Sequence, residues 1–423
     1  MSPNLTQRIL WALVLGGLAG VLLQSFQHTW IKDWLVDGVL LVIGKWFVAL
    51  LMLMVVPLVF VSLVKGVAQL GASQQLGRLS SLTLMMYMLT TVIAIVTGLA
   101  LANWLQPGAG LSLVATDVVA TSPPNFVELL IAIVPSNPIA AMSQGNMLQV
   151  IVFAILFGLA LSAISQQEVT MPLLTVFDAL EAVLIRMVGL VMWLAPVGVF
   201  ALMARSMASQ GLDLLAPLLV YFFTVVLALL VHASLTYAAL FRLFTGLSPW
   251  HVYRRLKEVL TVSFSTSSSA ATLPVTLATT DRLGVSRQVS SFSIPLGATI
   301  NMDGTAIMQG VATVFVANAY GLSLSMEDYV LVILTATLAS IGTAAVPGAG
   351  LIMLTMVFMQ VGLPVEGIAL ILGVDRLLDM MRTSVNVTGD IVVSTLVAKQ
   401  LEMLDEQMFT ESAQHHDVEI GHK

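Results

Sequence analysis

The sequence predicts an all-α integral membrane protein whose second half contains helices broken at membrane depth. Three observations point there. Hydrophobic residues make up 58% of the chain and charged residues only 9%. Soluble domains carry about 25% charged residues, so this chain cannot clothe a water-facing surface. Apolar runs such as Ile9–Phe26, Leu82–Leu105, Leu180–Ala204 and Leu214–Leu240 can each cross a hydrocarbon core, which takes about 20 helical residues. None of them alternates apolar with polar residues, which excludes a transmembrane barrel. There are no cysteines, so disulfides, thiol catalysis and thiolate metal sites are excluded.

The first run, Ile9–Phe26, lacks a small-residue cleavage site and reads as a retained helix. Basic residues then set the orientation. Arg8, the pair Lys65 and Arg78, the cluster Arg242, Arg254, Arg255 and Lys257, the pair Arg282 and Arg287, and Lys399 all fall on one side if 258–280 does not cross. The positive-inside rule makes that side, and both termini, cytoplasmic. Lys32 and Arg205 fall on the other side. Pro107–Asn125 is the longest outer loop, and Leu401–Lys423 reads as a poorly ordered cytoplasmic tail.

The second half is interrupted by polar stretches at membrane depth: 263–274, rich in Ser and Thr; Asn301-Met-Asp-Gly-Thr305; and 340–350, rich in Gly and Pro. Irregular backbone at that depth is tolerated only where protein buries it or it lines a wet cavity. The first and third are tips between apolar arms too short to span, the pattern of a re-entrant hairpin. Two such hairpins, each followed by a helix, suggest an internal repeat around a central site. A flexible linker would not be flanked on both sides by apolar helical sequence.

The last apolar stretch carries Asp375, Asp379, Arg382, Asn386 and Asp390 at spacings of four, three, four and four. On a helix these residues make one polar face. A charge near the bilayer centre costs about 2.5–3.5 kcal/mol, so four facing lipid would cost on the order of 10 kcal/mol. The stripe must face the interior, paired or hydrated. Asp303, between Asn301 and Thr305, is a second isolated carboxylate. An unwound turn offering carboxylate, amide and carbonyl oxygens suits a hard cation. The other singletons have structural readings. His232 is read as a packed interior histidine, Glu181, Arg186 and Lys45 snorkel or pair at helix ends, and Arg376 lies off the stripe with no role. The serine run has no His–Asp partners and no metal-ligand cluster exists, so enzyme chemistry is not expected.

Thr266–Pro274, Asn301–Thr305, Ser340–Gly350 and Asp379–Asp390, in that order, resemble the glutamate transporter family, the dicarboxylate/amino acid:cation symporters. The resemblance runs from about residue 8 to about residue 400. It implies a lipid-embedded homotrimer in the inner membrane, with no nucleic-acid partner. Each protomer would have about eight transmembrane helices and two re-entrant hairpins arranged as inverted repeats. It divides the chain into a static scaffold at 1–75 and 106–210, a moving transport unit at 76–105 and 211–400, and a tail at 401–423. It also implies sodium-driven uptake of aspartate or glutamate by an elevator movement.

By the same resemblance, Arg382 grips the substrate side-chain carboxylate, Asp375 holds that arginine, and Asp379 binds the amino group. Thr305, Thr383, Asn386, Ser269 and its neighbour Ser268 bond the remaining polar atoms, with backbone from Val346 and Gly350. Up to three Na+ ions are implied. One lies on Asp390 with carbonyls of Gly297, Asn301 and Asn386. A second lies between Thr299 and the carbonyls of Ser340, Ile341 and Thr343. A third is held by Tyr87, Thr90, Thr91, Asn301 and Asp303. The sequence departs from archaeal members at Ser267, where they carry arginine, and from animal members at Met380, where they carry arginine, and at Gln309, where they carry glutamate. Ala345 and Met381 also differ from the family pattern. The alternatives are a channel, a proton-coupled dicarboxylate carrier or a neutral amino acid carrier.

Overall fold

The computed structural model describes residues 3–25, 30, 32–70, 77–111, 113, 134–164, 171–341 and 348–411. Helices fill them, and a lone bridge between Val285 and Leu404 is the one strand-like pairing among the described residues. α1 is Pro3–Ser25. A π-helical stretch, Lys32–Leu40, leads into α2, Leu41–Leu70. α3 is Gly77–Leu105, α4 Pro138–Gln144, α5 Met147–Ala163 and α6 Met171–Gln210. Among the described residues five helical stretches are long and apolar enough to cross a membrane: Gln7–Ser25, Lys32–Lys65, Gly77–Leu105, Pro172–Ser209 and Leu215–Thr245. All seven tryptophans lie on the outside, each at least 56% exposed. Water would penalise that heavily, whereas lipid and its interfaces favour it.

The second half breaks where the sequence does. α7, Leu215–Val231, passes through a π-helical turn, His232–Thr236, into α8, Tyr237–Thr245. After the short α9, Trp250–Arg254, come α10, Lys257–Thr266, and α11, Ser269–Arg282. These two meet at Ser267, whose φ of 50° is left-handed, and at extended Ser268. The Ser268 hydroxyl caps α11 by accepting from the Ala271 amide. At 10 and 14 residues the arms are about 15 and 21 Å long, shorter than a bilayer core of about 30 Å.

α12, Arg287–Ile300, and α13, Asp303–Ala319, are parted by Asn301 and Met302, both non-helical. This is the unwound turn read from the N-x-D-G-T pentad. α14, Met326–Ile341, and α15, Ala349–Gln360, flank the Gly/Pro-rich segment, most of which lies outside the described residues. α16, Ile368–Gln400, carries the polar stripe.

Packing sorts the helices into two neighbourhoods. α1 and α2 both lie along α6, and α2 also lies along α5. Lys65 ties α2 to α6 by pairing with Asp178 at 2.8 Å and with Glu181, so Glu181 pairs as expected. Around α13, buried at every residue from Asp303 to Ala317, gather α3, α7, α14 and α16. A helix apolar on nearly all sides belongs in such a centre. Gly98 lets α3 lie directly on it: a Cβ there would meet the Ile307 carbonyl oxygen at 2.8 Å.

The expectation of a poorly ordered tail fails for its first half, and 412–423 lie outside the described residues. Residues 401–411 are ordered against the body. Glu406–Glu411 forms α17, and the Asp405 amide donates to the Gly284 carbonyl at 2.9 Å. Phe409, fully buried, stacks near Phe241 and His251. The apolar Phe409 within a polar segment is the sequence signal for this docking.

Candidate functional site

The stripe on α16 faces inward as its cost demands: Asp375, Asp379, Arg382, Thr383, Asn386 and Asp390 are all buried. Arg382 is 0% exposed. Its Nη2 donates to Asp379 Oδ1 at 2.9 Å and lies 3.0 Å from Asp375 Oδ1, the latter off the axis of a hydrogen bond. Nε and Nη1 have no acceptor among the described residues. Nη1 faces the start of α15: a Cβ on Gly350 would come within 3.3 Å of it and 3.1 Å of Thr305 Cγ2. Arg382, Thr305 and Gly350 therefore share one wall. A buried guanidinium with two unused donor atoms is costly without an anionic partner, and its planar fork fits a carboxylate.

Two readings of this stripe need correction. Arg376 has a partner: it is 7% exposed and its Nη1 donates to Asp379 Oδ2 at 3.3 Å. Its i,i+3 spacing from Asp379 was the available signal. Asp379 is consequently not free to meet an ammonium in this conformation, since each oxygen already accepts from an arginine. The cluster of two aspartates and two arginines is formally neutral. Thr383 spends its hydroxyl hydrogen on the Asp379 carbonyl at 2.8 Å. Ser269 is buried in the first turn of α11, and Ser268 is the cap described above. Ser263 bonds Ser384 at 3.2 Å and so fastens α10 to α16. Val346 and Thr343 lie outside the described residues.

A second, oxygen-rich cluster surrounds the unwound turn. Asp303 opens α13 fully buried; its Oδ1 accepts from the Thr91 hydroxyl at 2.7 Å. Asn301 Nδ2 donates to Asp390 Oδ1 at 2.9 Å and to the Asn386 carbonyl at 3.3 Å, while Asn301 Oδ1 accepts from Thr90 at 3.4 Å. Asn386 Oδ1 accepts from the Gly304 amide at 2.7 Å, and the Tyr87 hydroxyl donates to the Ser293 carbonyl at 2.9 Å. Gly297 closes this cluster, since a Cβ would sit 2.5 Å from the Tyr87 hydroxyl and 2.8 Å from Asp390 Cγ. The structure thus brings together Tyr87, Thr90, Thr91, Gly297, Asn301, Asp303, Asn386 and Asp390. Two buried carboxylates beside amide, hydroxyl and carbonyl oxygens call for compensating positive charge, and the donor set suits a hard monovalent cation.

Thr299 bonds its own helix at Leu296, and Ser340 bonds its own at Thr337. Their helices, α12 and α14, touch, but no hydrogen bond links Thr299 to Ser340 or Ile341. Two further residues belong to the second cluster. Tyr237 donates to Asp303 Oδ2 at 2.8 Å, and His232 Nε2 lies 3.3 Å from the same oxygen. His232 is therefore not a solitary packing residue. The π-helical turn His232–Thr236 brings both rings to Asp303, their centroids 4.6 Å apart. Such bulges often mark functional sites, but nothing in the residue pattern announces one.

Comparison with known proteins decides what this geometry belongs to. The model of the sodium:dicarboxylate symporter family matches residues 5–400. The chain belongs to that family. It is 37% identical to the proton/glutamate-aspartate symporter of Escherichia coli, over 94% of this chain and 92% of that one. It is 34% identical to the proton/sodium-glutamate symport protein of Bacillus caldotenax, over 92% and 93%. It is 31% identical to the C4-dicarboxylate transport protein of Bacillus subtilis, over 98% and 97%. The protein is thus a multi-pass membrane symporter and not an enzyme. Of the positions expected to depart from the family pattern, Ala345 lies outside the described residues. Gln309 is buried within α13, and Ser267 is buried at the junction of α10 and α11, its hydroxyl without a partner among the described residues.

Proposed function

We propose that this symporter carries aspartate, glutamate or both into the cell with sodium ions. The observation that carries the reading is the fully buried Arg382, whose Nε and Nη1 lack acceptors among the described residues, with Nη1 on a wall shared with Thr305 and Gly350. An acidic side chain on that wall would accept from Nη1, while Nε lies on another edge of the guanidinium and would need a different acceptor. The substrate ammonium would take the Arg376 side of Asp379, with Asp375 steadying Arg382 throughout. Sodium would bind at Asp390 with Gly297, Asn301 and Asn386, and at Asp303 with Tyr87, Thr90, Thr91 and Asn301. A further ion would lie between Thr299 and the end of α14. Na+ is cargo here, not a resident cofactor.

The two packing neighbourhoods support a static scaffold of α1, α2, α4, α5 and α6 and a moving unit of α3 and α7 to α16. In the moving unit the α10–α11 and α14–α15 pairs act as re-entrant hairpins. We place this assembly in the inner membrane as a homotrimer with both termini cytoplasmic. The test is uptake of labelled aspartate and glutamate into proteoliposomes under an imposed sodium or pH gradient. Sodium entering in excess of substrate charge makes transport electrogenic, and each extra charge at 100 mV adds about 2.3 kcal/mol, roughly 50-fold in gradient. Full uptake on a pH gradient without sodium would overturn the coupling.

A second reading rests on Arg376. With two guanidiniums around Asp379, the site also suits a C4-dicarboxylate, one carboxylate on each arginine. Succinate competing against labelled aspartate as strongly as aspartate itself would favour it.

A further inference from the structure

We propose that a groove between the π-helical turn, the α9–α10 arm and α16 binds one anionic phospholipid. The groove has a volume of about 800 Å³ and is almost wholly apolar, within the range of about 300–1,000 Å³ typical of small-molecule pockets. Leu230, Leu260 and Phe264 stand along it, 61%, 37% and 39% exposed, with Met381 and Val385 of α16 at the back. In a membrane-spanning protein this opening faces acyl chains.

Its head end is charged. Trp250 lines the groove there with Arg254 over its ring at 5.3 Å, and Lys257 follows three residues on. Both cations are exposed and, among the described residues, neither is in an ion pair; the adjacent acid, Glu258, is paired with Arg282 at 2.9 Å. An apolar slot ending in two uncompensated cations matches a molecule with a long tail and an anionic head. Arginine is suited to a phosphate diester, and tryptophan to the headgroup level.

The floor connects the groove to the site. The Tyr253 hydroxyl on α9 crosses to the Ala233 carbonyl at 2.6 Å. Ala233 follows His232, which touches Asp303. A chain seated here would brace the α9–α10 arm against the turn that supports the oxygen-rich cluster.

The experiment uses the full chain in nanodiscs, with phosphatidylglycerol or phosphatidylcholine bearing a photoreactive tail, and peptide mapping of the adducts. Phosphatidylglycerol is expected to label the segments around Leu230 and Phe264 at one adduct per chain, well above phosphatidylcholine. Leu230→Trp should abolish that adduct by filling the slot. Arg254→Gln with Lys257→Gln should lower apparent phosphatidylglycerol affinity about 30-fold and leave phosphatidylcholine unchanged, the fold-change matching about 1 kcal/mol per basic side chain at an anionic surface. Equal labelling by the two lipids, adducts spread over the whole apolar exterior, or cross-links from the groove to a second copy of the chain would each overturn the proposal. If Leu230→Trp does not fold, the double variant, altered only at two exposed side chains, decides alone.

Discussion

Replacing Arg382 with threonine should convert the site from acidic to neutral substrates. Arg382 is fully buried and lies within 3.0 Å of both Asp375 and Asp379. Removing it turns a formally neutral cluster of two aspartates and two arginines into one with a net negative charge. A substrate carboxylate entering there loses its fork and meets an unpaired Asp375. Breaking a buried ion pair costs about 3–5 kcal/mol, so aspartate affinity should fall roughly 10²- to 4 × 10³-fold. A small neutral amino acid has no side-chain carboxylate to place there and keeps its ammonium contact, for which Asp379 then retains Arg376 alone as a competitor. The assay is competition against labelled aspartate and labelled serine in proteoliposomes. Sodium-dependent thermal stabilisation serves as a fold control, because the Asn301 and Asp303 contacts do not include the Arg382 side chain. Arg382→Lys retains the charge but not the fork and should recover only part of aspartate uptake. A threonine variant that still prefers aspartate over serine would refute the reasoning and leave Arg382 a structural ion-pair partner.

Arg376→Gln frees Asp379 Oδ2, so aspartate affinity should hold or rise, while a dicarboxylate carrier would lose about tenfold or more in succinate affinity; binding isotherms for both separate the two. Gly297→Ala pushes a methyl to within 2.8 Å of Asp390 Cγ and should raise the sodium concentration for half-maximal uptake about tenfold or more, with aspartate affinity at saturating sodium shifting far less. Tyr237→Phe deletes the 2.8 Å bond to buried Asp303 and should lower stability by about 1–3 kcal/mol, read as a drop in the melting midpoint in detergent. An unchanged midpoint would mean that another donor replaces the hydroxyl.

The broken helices were legible because interruption has a signature: the Ser/Thr run at 265–269 and the pentad at 301–305 have no place inside an apolar run unless the helix stops. The stripe was legible because its spacing repeats on one face and its cost in lipid forces it inward. What escaped was partnership. Arg376 is off the stripe by helical angle, yet its side chain is long enough to reach Asp379 three residues on. His232 and Tyr237 are 71 and 66 residues from Asp303 and meet it only through a local π-helical turn that no residue in the run requires. Phe409 escaped because one aromatic in a polar tail reads as noise until Phe241 and His251 are seen beside it.

The two clusters are mechanically one object. Asn386 accepts from the Gly304 amide through its side chain and from Asn301 through its carbonyl, and its Nδ2 lies 3.3 Å from Met302 Sδ. A single residue of α16 therefore grips three members of the unwound turn. One turn earlier on the same helix, the Arg382 backbone packs on Gly304 so tightly that a Cβ there would lie 2.6 Å from the Arg382 carbonyl oxygen. Thr305 follows directly and forms the wall facing the unused guanidinium donors. A cation drawn to Asn301 and Asp303 cannot reposition that turn without moving Gly304 and Thr305 against Arg382. In this geometry the proposed coupling of cation to substrate needs no relay across the protein, because the turn that would offer oxygens to the cation ends in the residues that border the proposed anion site.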